Sequence, residues 1–239
     1  MDRLVPLPDS ISFEQAAAVM LQGLTAHYLV NDSHILKHGE TVLIHACAGG
    51  VGLLLAQLCK LKGAKVLGIV SSPEKSELAK TIGKADECIL TSDDWVKYTK
   101  ESFAAKKKGV DVVYDSVGTT LRSSISAARI GGHVVFYGMA NGNPECMLRK
   151  VILFLLTANF VVVDPRLLMD ESKSLTGGDL WNVLTDHSER VKRSNELFQL
   201  IELGKLHVEI AKSFPLKDGA QAHDYLQSRK AVGKVLLIP

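Results

Sequence analysis

A run of small residues near the start of the chain has the spacing of a phosphate-binding loop. Residues 46–52 read Ala-Cys-Ala-Gly-Gly-Val-Gly and lie between a predicted strand and a predicted helix. Glycines let the backbone turn tightly and approach a pyrophosphate, and the free N–H groups of the helix N-terminus attract its negative charge. The spacing is AxxGxxG rather than GxGxxG and is weak evidence by itself. The interpretation as a phosphate-binding loop therefore depends on its position between a strand and a helix of a βαβ unit. The alternative is a tight turn without a ligand.

The residues after the second predicted strand indicate which dinucleotide this loop would serve. An NAD site places a carboxylate on the ribose hydroxyls, about 20 residues beyond the glycines. Here residues 70–75 read Val-Ser-Ser-Pro-Glu-Lys, so the only carboxylate, Glu74, lies inside the next helix. Two hydroxyls and Lys75 suit a 2′-phosphate, which predicts NADP(H). In the alternative interpretation, Ser72 only caps the helix and Lys75 is a solvated side chain.

Two more predicted strands end in small residues. Residues 115–118 read Asp-Ser-Val-Gly after the fourth strand, and residues 137–140 read Tyr-Gly-Met-Ala after the fifth. Ligands of doubly wound sheets lie beyond the carboxyl ends of the strands, where residues this small leave room for a ribose and a nicotinamide. Either segment taken alone is also compatible with ordinary turn chemistry.

The elements that would position these segments alternate between strand and helix. This alternation predicts an α/β fold of the Rossmann type, a doubly wound parallel sheet with helices on both faces. The more polar residues 168–186 are predicted to form a surface excursion, and helices and strands follow it. The predicted strands comprise residues 41–46, 65–70, 87–90, 110–115, 133–137, 160–163, 206–210 and 234–238.

Composition excludes several classes of protein. The 239 residues are 46% hydrophobic, which is too apolar for a disordered chain, and the net charge of +2 is too small for a generic nucleic-acid binder. Cysteines 47, 59, 88 and 146 form no CxxC pair, which favours reduced thiols over disulfides or structural zinc. The most apolar stretch, residues 151–163, is too short to span a bilayer. We therefore expect a globular, cytoplasmic protein.

Four motifs occur in order along the chain: QGLTA at residues 22–26, HACAGGVG at 45–52, VVYDSVG at 112–118 and SRKAVGKVLLIP at 228–239. Together they resemble the quinone oxidoreductase (zeta-crystallin-like) branch of the medium-chain dehydrogenase/reductase superfamily, from residue 5 to the last residue. The resemblance implies an enzyme that uses NADPH, without zinc, to reduce quinones or other activated carbonyl acceptors. It names no general acid, because the cofactor carries the chemistry.

The resemblance also assigns three groups of cofactor-binding residues. The residues assigned to the pyrophosphate belong to the loop itself and are Ala46, Gly49, Gly50, Val51 and Gly52. The group at the 2′-phosphate is Ser71, Lys75 and Arg229. The rest of the cleft would be lined by Ser116, Tyr137 and Gly138, with Thr25 on the nicotinamide side. One departure from the pattern follows the third strand, where Leu90 and Thr91 stand in place of a frequent tyrosine and Lys84 interrupts the usual Gly-Ala.

The domain organisation implied by the resemblance is one dinucleotide-binding domain with part of a second domain. Residues 1–30 would form a connecting helical region, residues 31–165 the Rossmann domain, and residues 166–239 part of a GroES-like lobe that is incomplete here. In the family the sixth strand, predicted at residues 160–163, pairs across a dimer, so we expect a homodimer.

Two other functions remain open from the sequence. One is an enal or enone reductase of the same superfamily, and the other is an NADPH-binding module without turnover, acting as a sensor or an RNA-binding protein. The scattered histidines favour neither a metal site nor a catalytic triad: His45 and His133 are expected to be structural, and His27 is a weak candidate for the cleft. Lysines 106–108 are expected to form a solvated helix end rather than a nucleic-acid patch.

Overall fold

A six-stranded parallel sheet forms the centre of the molecule. The computed structural model describes residues 4–140, 163–228 and 230–239. The strand order is β3-β2-β1-β4-β5-β6, which is the order of a doubly wound Rossmann fold. These six strands are β1 Thr41–Ile44, β2 Lys65–Val70, β3 Glu87–Leu90, β4 Val110–Asp115, β5 Ala128–Phe136 and β6 Ser174–Gly177.

Helices connect and cover these strands. They are α1 Phe13–Tyr28, α2 Gly50–Leu61, α3 Pro73–Thr81, α4 Trp95–Tyr98, α5 Leu121–Ala127, α6 Arg166–Met169, α7 Leu180–Val183, α8 His187–Glu202 and α9 Gly219–Gln227. The starts of two of them follow from local sequence. Ser12 and Gln15 form a capping box that begins α1, and Ser72 caps α3 with Pro73 in its first turn.

Apolar side chains cover both faces of the sheet. β4 is buried along its whole length, and in β1 only Thr41 at the start is partly exposed. Strands buried on both faces read as continuous apolar runs, which is why these two were recognisable in the sequence. Helix α1 packs on α2 and α8, and the imidazole of His27 lies 2.7 Å from the carboxylate of Glu196 on α8.

A separate two-stranded sheet completes the fold. β7 Ile210–Pro215 and β8 Lys234–Ile238 pair in parallel, with α9 as the crossover between them. A single bridge joins Gly233, just before β8, to Gly49 of the glycine-rich loop. The C-terminal segment therefore reaches back to the loop after β1.

Three predictions of elements need correction. The strand that pairs with β5 is β6, within the segment that we expected to be a surface excursion, and residues 160–162 of the predicted sixth strand lie outside the described residues. Because β6 lies beyond residue 165, the main sheet also extends past the domain boundary predicted there. The strand predicted at residues 206–210 begins only at Ile210, because the backbone of His207 pairs with the side chain of Gln57 rather than with a strand.

Candidate active site

The loop after β1 has the close packing that a pyrophosphate cradle requires. Gly49 precedes α2 without any side-chain cap, so in the described chain the first-turn amides of this 12-residue helix have no side-chain acceptor at that position. A Cβ on Gly52 would lie 2.4 Å from the carbonyl oxygen of Ala46, so only glycine lets α2 approach the loop this closely. Ala46 itself adopts a positive φ of 49°. Gly52 therefore packs directly against the backbone of the loop.

A side chain that the sequence reasoning did not single out covers the same loop. The side-chain amide of Gln22, on α1, packs so closely on Gly50 that its nitrogen and its oxygen would each lie 2.4 Å from a Cβ placed on Gly50. Gln22 thus brings a neutral donor and acceptor to the backbone of the cradle. The only signal in the sequence was that Gln22 opens the QGLTA motif of the resemblance.

The end of β2 lies beside this loop. The backbone N–H of Cys47 donates to the carbonyl of Ile69 over 3.1 Å, which ties the loop to β2. Ser72 accepts from the backbone N–H of Lys75 over 3.4 Å, and its hydroxyl also hydrogen bonds to Glu74. That bond holds the pKa of the exposed Glu74 carboxyl below its usual value. Ser72 therefore caps α3 as expected, while Ser71 is exposed at the strand end and Lys75 is partly buried.

Asp115, at the end of β4, is the centre of a buried hydrogen-bond network. Its carboxylate accepts from the backbone N–H groups of Val117 and Gly118, at 2.8 and 3.2 Å. The hydroxyls of Thr120 and Ser124 also donate to it, at 2.8 and 2.7 Å. The carboxylate of Asp115 thereby fixes the Asp-Ser-Val-Gly turn from inside the protein.

His45 connects this network to the loop after β1. Its Nε2 lies 2.9 Å from the hydroxyl of Ser124 and 4.0 Å from Asp115, and its ring packs edge-on against Trp95 at a centroid distance of 5.0 Å. Burial lowers the pKa of His45, although Asp115 acts in the opposite direction. Burial alone would raise the pKa of Asp115, but His45 and the hydrogen bonds outweigh it, so this carboxyl has a lowered pKa.

Ser116 and Tyr137 meet at the ends of β4 and β5. The backbone N–H of Tyr137 donates to the backbone carbonyl of Asp115 over 2.9 Å, and the side chains of Ser116 and Tyr137 are hydrogen-bonded. Burial raises the pKa of the Tyr137 phenol, and the bond to Ser116 only partly offsets this. A Cβ on Gly138 would come within 3.1 Å of the Ser116 carbonyl, so Gly138 lies against the same turn.

Thr25 and Tyr137 face one small cavity between α1 and the carboxyl ends of β5 and β6. Its volume is about 180 Å³, and its other walls include Leu21, Tyr28 and Trp181. The hydroxyl of Thr25 donates to Leu21 within α1. His27 does not line this cavity but faces Glu196, so the expectation that it belongs to the cleft is not supported by its position.

The structure thus gathers most of the predicted site residues at one edge of the sheet. Ala46 and the glycines form one loop beside Gly233, Ser116 meets Tyr137 and Gly138, and Thr25 meets Tyr137. Arg229 lies outside the described residues. Within residues 4–140, 163–228 and 230–239, no group of three or more His, Cys, Asp or Glu side chains could hold a metal ion. In that part of the chain, no helix is both long and apolar enough to cross a membrane.

Comparison with known proteins places the chain among oxidoreductases. Residues 50–163 match the family model described as zinc-binding dehydrogenase. The quinone oxidoreductase of Pseudomonas aeruginosa is 38% identical over 240 residues, which cover 100% of this chain and 68% of that protein. A 2-haloacrylate reductase from a Burkholderia species is 33% identical over 246 residues, with the same coverage of both chains.

A solved structure extends this relationship to the fold. The crystal structure of Escherichia coli quinone oxidoreductase complexed with NADPH superposes with a TM-score of 0.87 at 36% identity, and covers 100% of this chain and 69% of that one. Identity at this level over the whole chain, with the same fold, exceeds what a shared Rossmann architecture alone would give. The chain belongs to the zeta-crystallin-like quinone oxidoreductases of the medium-chain dehydrogenase/reductase superfamily.

Proposed function

We propose that this chain is an NADPH-dependent oxidoreductase that reduces a quinone or a related activated carbonyl compound. The observation that carries the proposal is the cradle formed by Gly50 and Gly52, where any side chain would collide with Gln22 or with the loop backbone. Such a cradle admits a pyrophosphate to the N-terminus of α2. When bound there, NADPH supplies the hydride that the reaction transfers.

The amides of the first turn of α2 bind the pyrophosphate in this proposal. They lie at the positive end of the helix dipole and have no side-chain cap from Gly49. Gln22 supports the loop from α1, and the Asp115 network holds the next turn along the same edge. These residues act by fixing the backbone before the cofactor binds, so little ordering is required on binding.

The residues proposed for the 2′-phosphate are Ser71, Lys75 and Arg229. Ser71 and Lys75 follow β2, and β2 lies next to β1 in the sheet, so both are near the adenosine end of a cofactor that crosses the glycine loop. Hydroxyl and ammonium donors bind a phosphate dianion well. The Glu74 carboxylate, which is hydrogen-bonded to Ser72, is the feature that would oppose a 2′-phosphate here.

The proposed nicotinamide end lies near Thr25, Ser116 and Tyr137. The cavity that Thr25 and Tyr137 share is also lined by the aromatic side chains of Tyr28 and Trp181, against which a planar ring can stack. The Tyr137 phenol stays protonated, because its pKa is raised by burial. In this proposal these residues hold the ring in place, and orientation rather than proton transfer is what they contribute.

The test is a steady-state assay of the purified chain with NADPH or NADH and a panel of acceptors. The panel contains simple quinones, an enone and a 2-haloacrylate, because one relative is a 2-haloacrylate reductase. We expect NADPH oxidation that depends on a quinone, with a clear preference for NADPH over NADH. Tight binding of NADPH without oxidation by any acceptor would contradict the enzyme and favour a non-catalytic NADPH-binding module.

We also propose that two copies pair through β6, which takes the place of the sixth strand predicted at residues 160–163. The support is that β6 is the end strand of the six-stranded sheet in the described chain, and an end strand offers unpaired backbone groups to a second copy. Sedimentation equilibrium measures the mass in solution directly. A mass of one 26.0 kDa chain at all concentrations would exclude this dimer.

A further inference from the structure

One sizeable cavity lies away from the cofactor crevice. It has a volume of about 420 Å³ and lies between α2, the end of α3 and the loop of residues 204–207. Cavities of about 300 Å³ or more are the usual size of small-molecule sites, whereas the cavity beside Thr25 is smaller. None of the eleven predicted cofactor-binding residues that the structure describes lines this cavity.

The walls of this cavity carry an excess of positive charge. Lys60, Lys84, Lys205 and His207 line it, and none of its lining residues in the described chain is Asp or Glu. Lys60 is neutralised, since its ammonium lies 2.7 and 2.8 Å from the two carboxylate oxygens of Asp86. His207 lies 3.0 Å from the carboxylate of Glu209. Among the described residues, Lys84 and Lys205 have no acidic partner within salt-bridge distance.

The backbone at Lys84 is unusual for a lysine. Its φ is +61°, in the left-handed region that glycine or asparagine would normally occupy after a helix. A lysine in this conformation is disfavoured by its Cβ, so the surrounding structure must hold it there. The residue before it is Gly83, so the turn already contains a glycine that does not take this conformation.

The opposite wall is held rigidly by one buried glutamine. Gln57 is only 4% exposed, and its side chain pairs with the backbone of His207, donating to the carbonyl over 3.0 Å and accepting from the N–H over 2.8 Å. This two-way pairing fastens the 204–207 loop to α2. The cavity is therefore formed before any ligand enters, with Leu61 and Ile82 as apolar surface beside the lysines.

We infer that this cavity binds a small organophosphate, with the phosphate at Lys84 and Lys205 and the organic part against Leu61 and Ile82. Two lysines without acidic partners suit a dianion, and the apolar wall distinguishes an organic phosphate from the inorganic ion. The inference does not depend on the proposed oxidoreductase activity, because the two sites share no residue.

The test uses phenyl phosphate as the probe on protein that is saturated with NADPH, so that the cofactor crevice is already filled. Isothermal titration calorimetry is compared for the unchanged chain and for the Lys84→Gly/Lys205→Ala variant. Glycine is chosen at position 84 because it accepts a positive φ. We expect saturable binding by the unchanged chain and a loss of affinity of about tenfold or more in the variant.

Two controls distinguish binding in this cavity from nonspecific attraction of an anion to a positively charged protein. The Lys80→Ala/Lys106→Ala variant removes the same number of positive charges from exposed lysines that do not line the cavity, and it should bind phenyl phosphate as the unchanged chain does. Inorganic phosphate and phenol should each bind more weakly than phenyl phosphate. Absence of saturable binding, equal losses in both double variants, or inorganic phosphate binding as tightly as phenyl phosphate would each overturn the inference. NADPH affinity should be unchanged in both variants.

Discussion

Asp115 organises one side of the candidate site with a single buried charge. Its carboxylate has no solvent exposure, and such a charge is tolerated only when donors satisfy its oxygens. Two backbone amides, two hydroxyls and His45 fill that role, and the amides belong to the turn next to Ser116. The sequence identified the Asp-Ser-Val-Gly turn, but its partners, His45 after β1 and Ser124 on α5, become neighbours only when the sheet has formed.

His45 should make stability more sensitive to acid. Because burial lowers its folded-state pKa below the ordinary 6.5, the unfolded chain binds a proton more readily. Stability is therefore lost as the pH falls through 6.5. His45→Gln can keep a hydrogen bond to Ser124 without titrating, so its free energy of unfolding should fall less between pH 7.5 and 5.5. Urea unfolding at several pH values measures this. Burial also lowers the pKa values of His27 and His133, but these two residues contribute equally to the fall in both proteins. An equal fall in the free energy of unfolding of both proteins would therefore contradict the prediction for His45.

Lys75 should determine the preference for NADPH. If its ammonium contacts the 2′-phosphate, Lys75→Ala should weaken NADPH binding by about 1.5–3 kcal/mol, the range for hydrogen bonds to charged groups, and leave NADH binding nearly unchanged. Fluorescence titration with each cofactor measures both affinities. Lys80→Ala, on the same helix and exposed, is the matched control. A parallel loss for NADPH and NADH would remove Lys75 from the 2′-phosphate site.

At the level of elements, the predictable parts were those whose signals are local. The Ser72-Pro73 start of α3 and the largely apolar runs of β1 and β4 can each be recognised from a few consecutive residues. The sixth strand could not be found in this way. β6 has the sequence Ser-Leu-Thr-Gly, which is short and half polar, and it is a strand because the open side of β5 pairs with it. A bond of 2.7 Å between His133 and Thr176 adds to that pairing.

Gly52 should be the glycine on which the fit of α2 to its loop most depends. Gly52→Ala would place a Cβ 2.4 Å from the Ala46 carbonyl, and backbone must move to admit it. We expect a loss of about 1–3 kcal/mol in the free energy of unfolding, together with weaker NADPH binding. Gly177→Ala is the matched control, because a Cβ there meets nothing within 4 Å. Denaturant unfolding and cofactor titration of both variants provide the comparison, and similar behaviour of the two would refute the packing argument.

At the scale of the whole molecule, one bridge joins the glycine-rich loop to the C-terminal segment. Gly49 belongs to the loop that would hold the pyrophosphate, and Gly233 comes 184 residues later, directly before β8. Gly233 has a φ of +84°, and a Cβ on it would lie 2.4 Å from the carbonyl of Glu209, so this turn also depends on glycine. Nothing local in the sequence gives this contact, since it arises from the path of β7, α9 and β8 as a unit.

Because of this bridge, we expect cofactor binding at the glycine-rich loop to change hydrogen exchange in the small sheet. A ligand that binds only the folded state stabilises it by about 2.7 kcal/mol at a concentration of 100 Kd, and the opening of any segment that binding holds closed becomes rarer. We therefore expect NADPH to slow hydrogen exchange in two separate segments, the loop of residues 46–52 and the turn of residues 230–235. The helical turn Ala105–Lys107 is not part of either segment and serves as the internal reference. Exchange monitored by mass spectrometry resolves the three segments. If NADPH protects the loop while residues 230–235 exchange as before, the bridge does not couple the small sheet to the cofactor, and β7 and β8 open independently of the site.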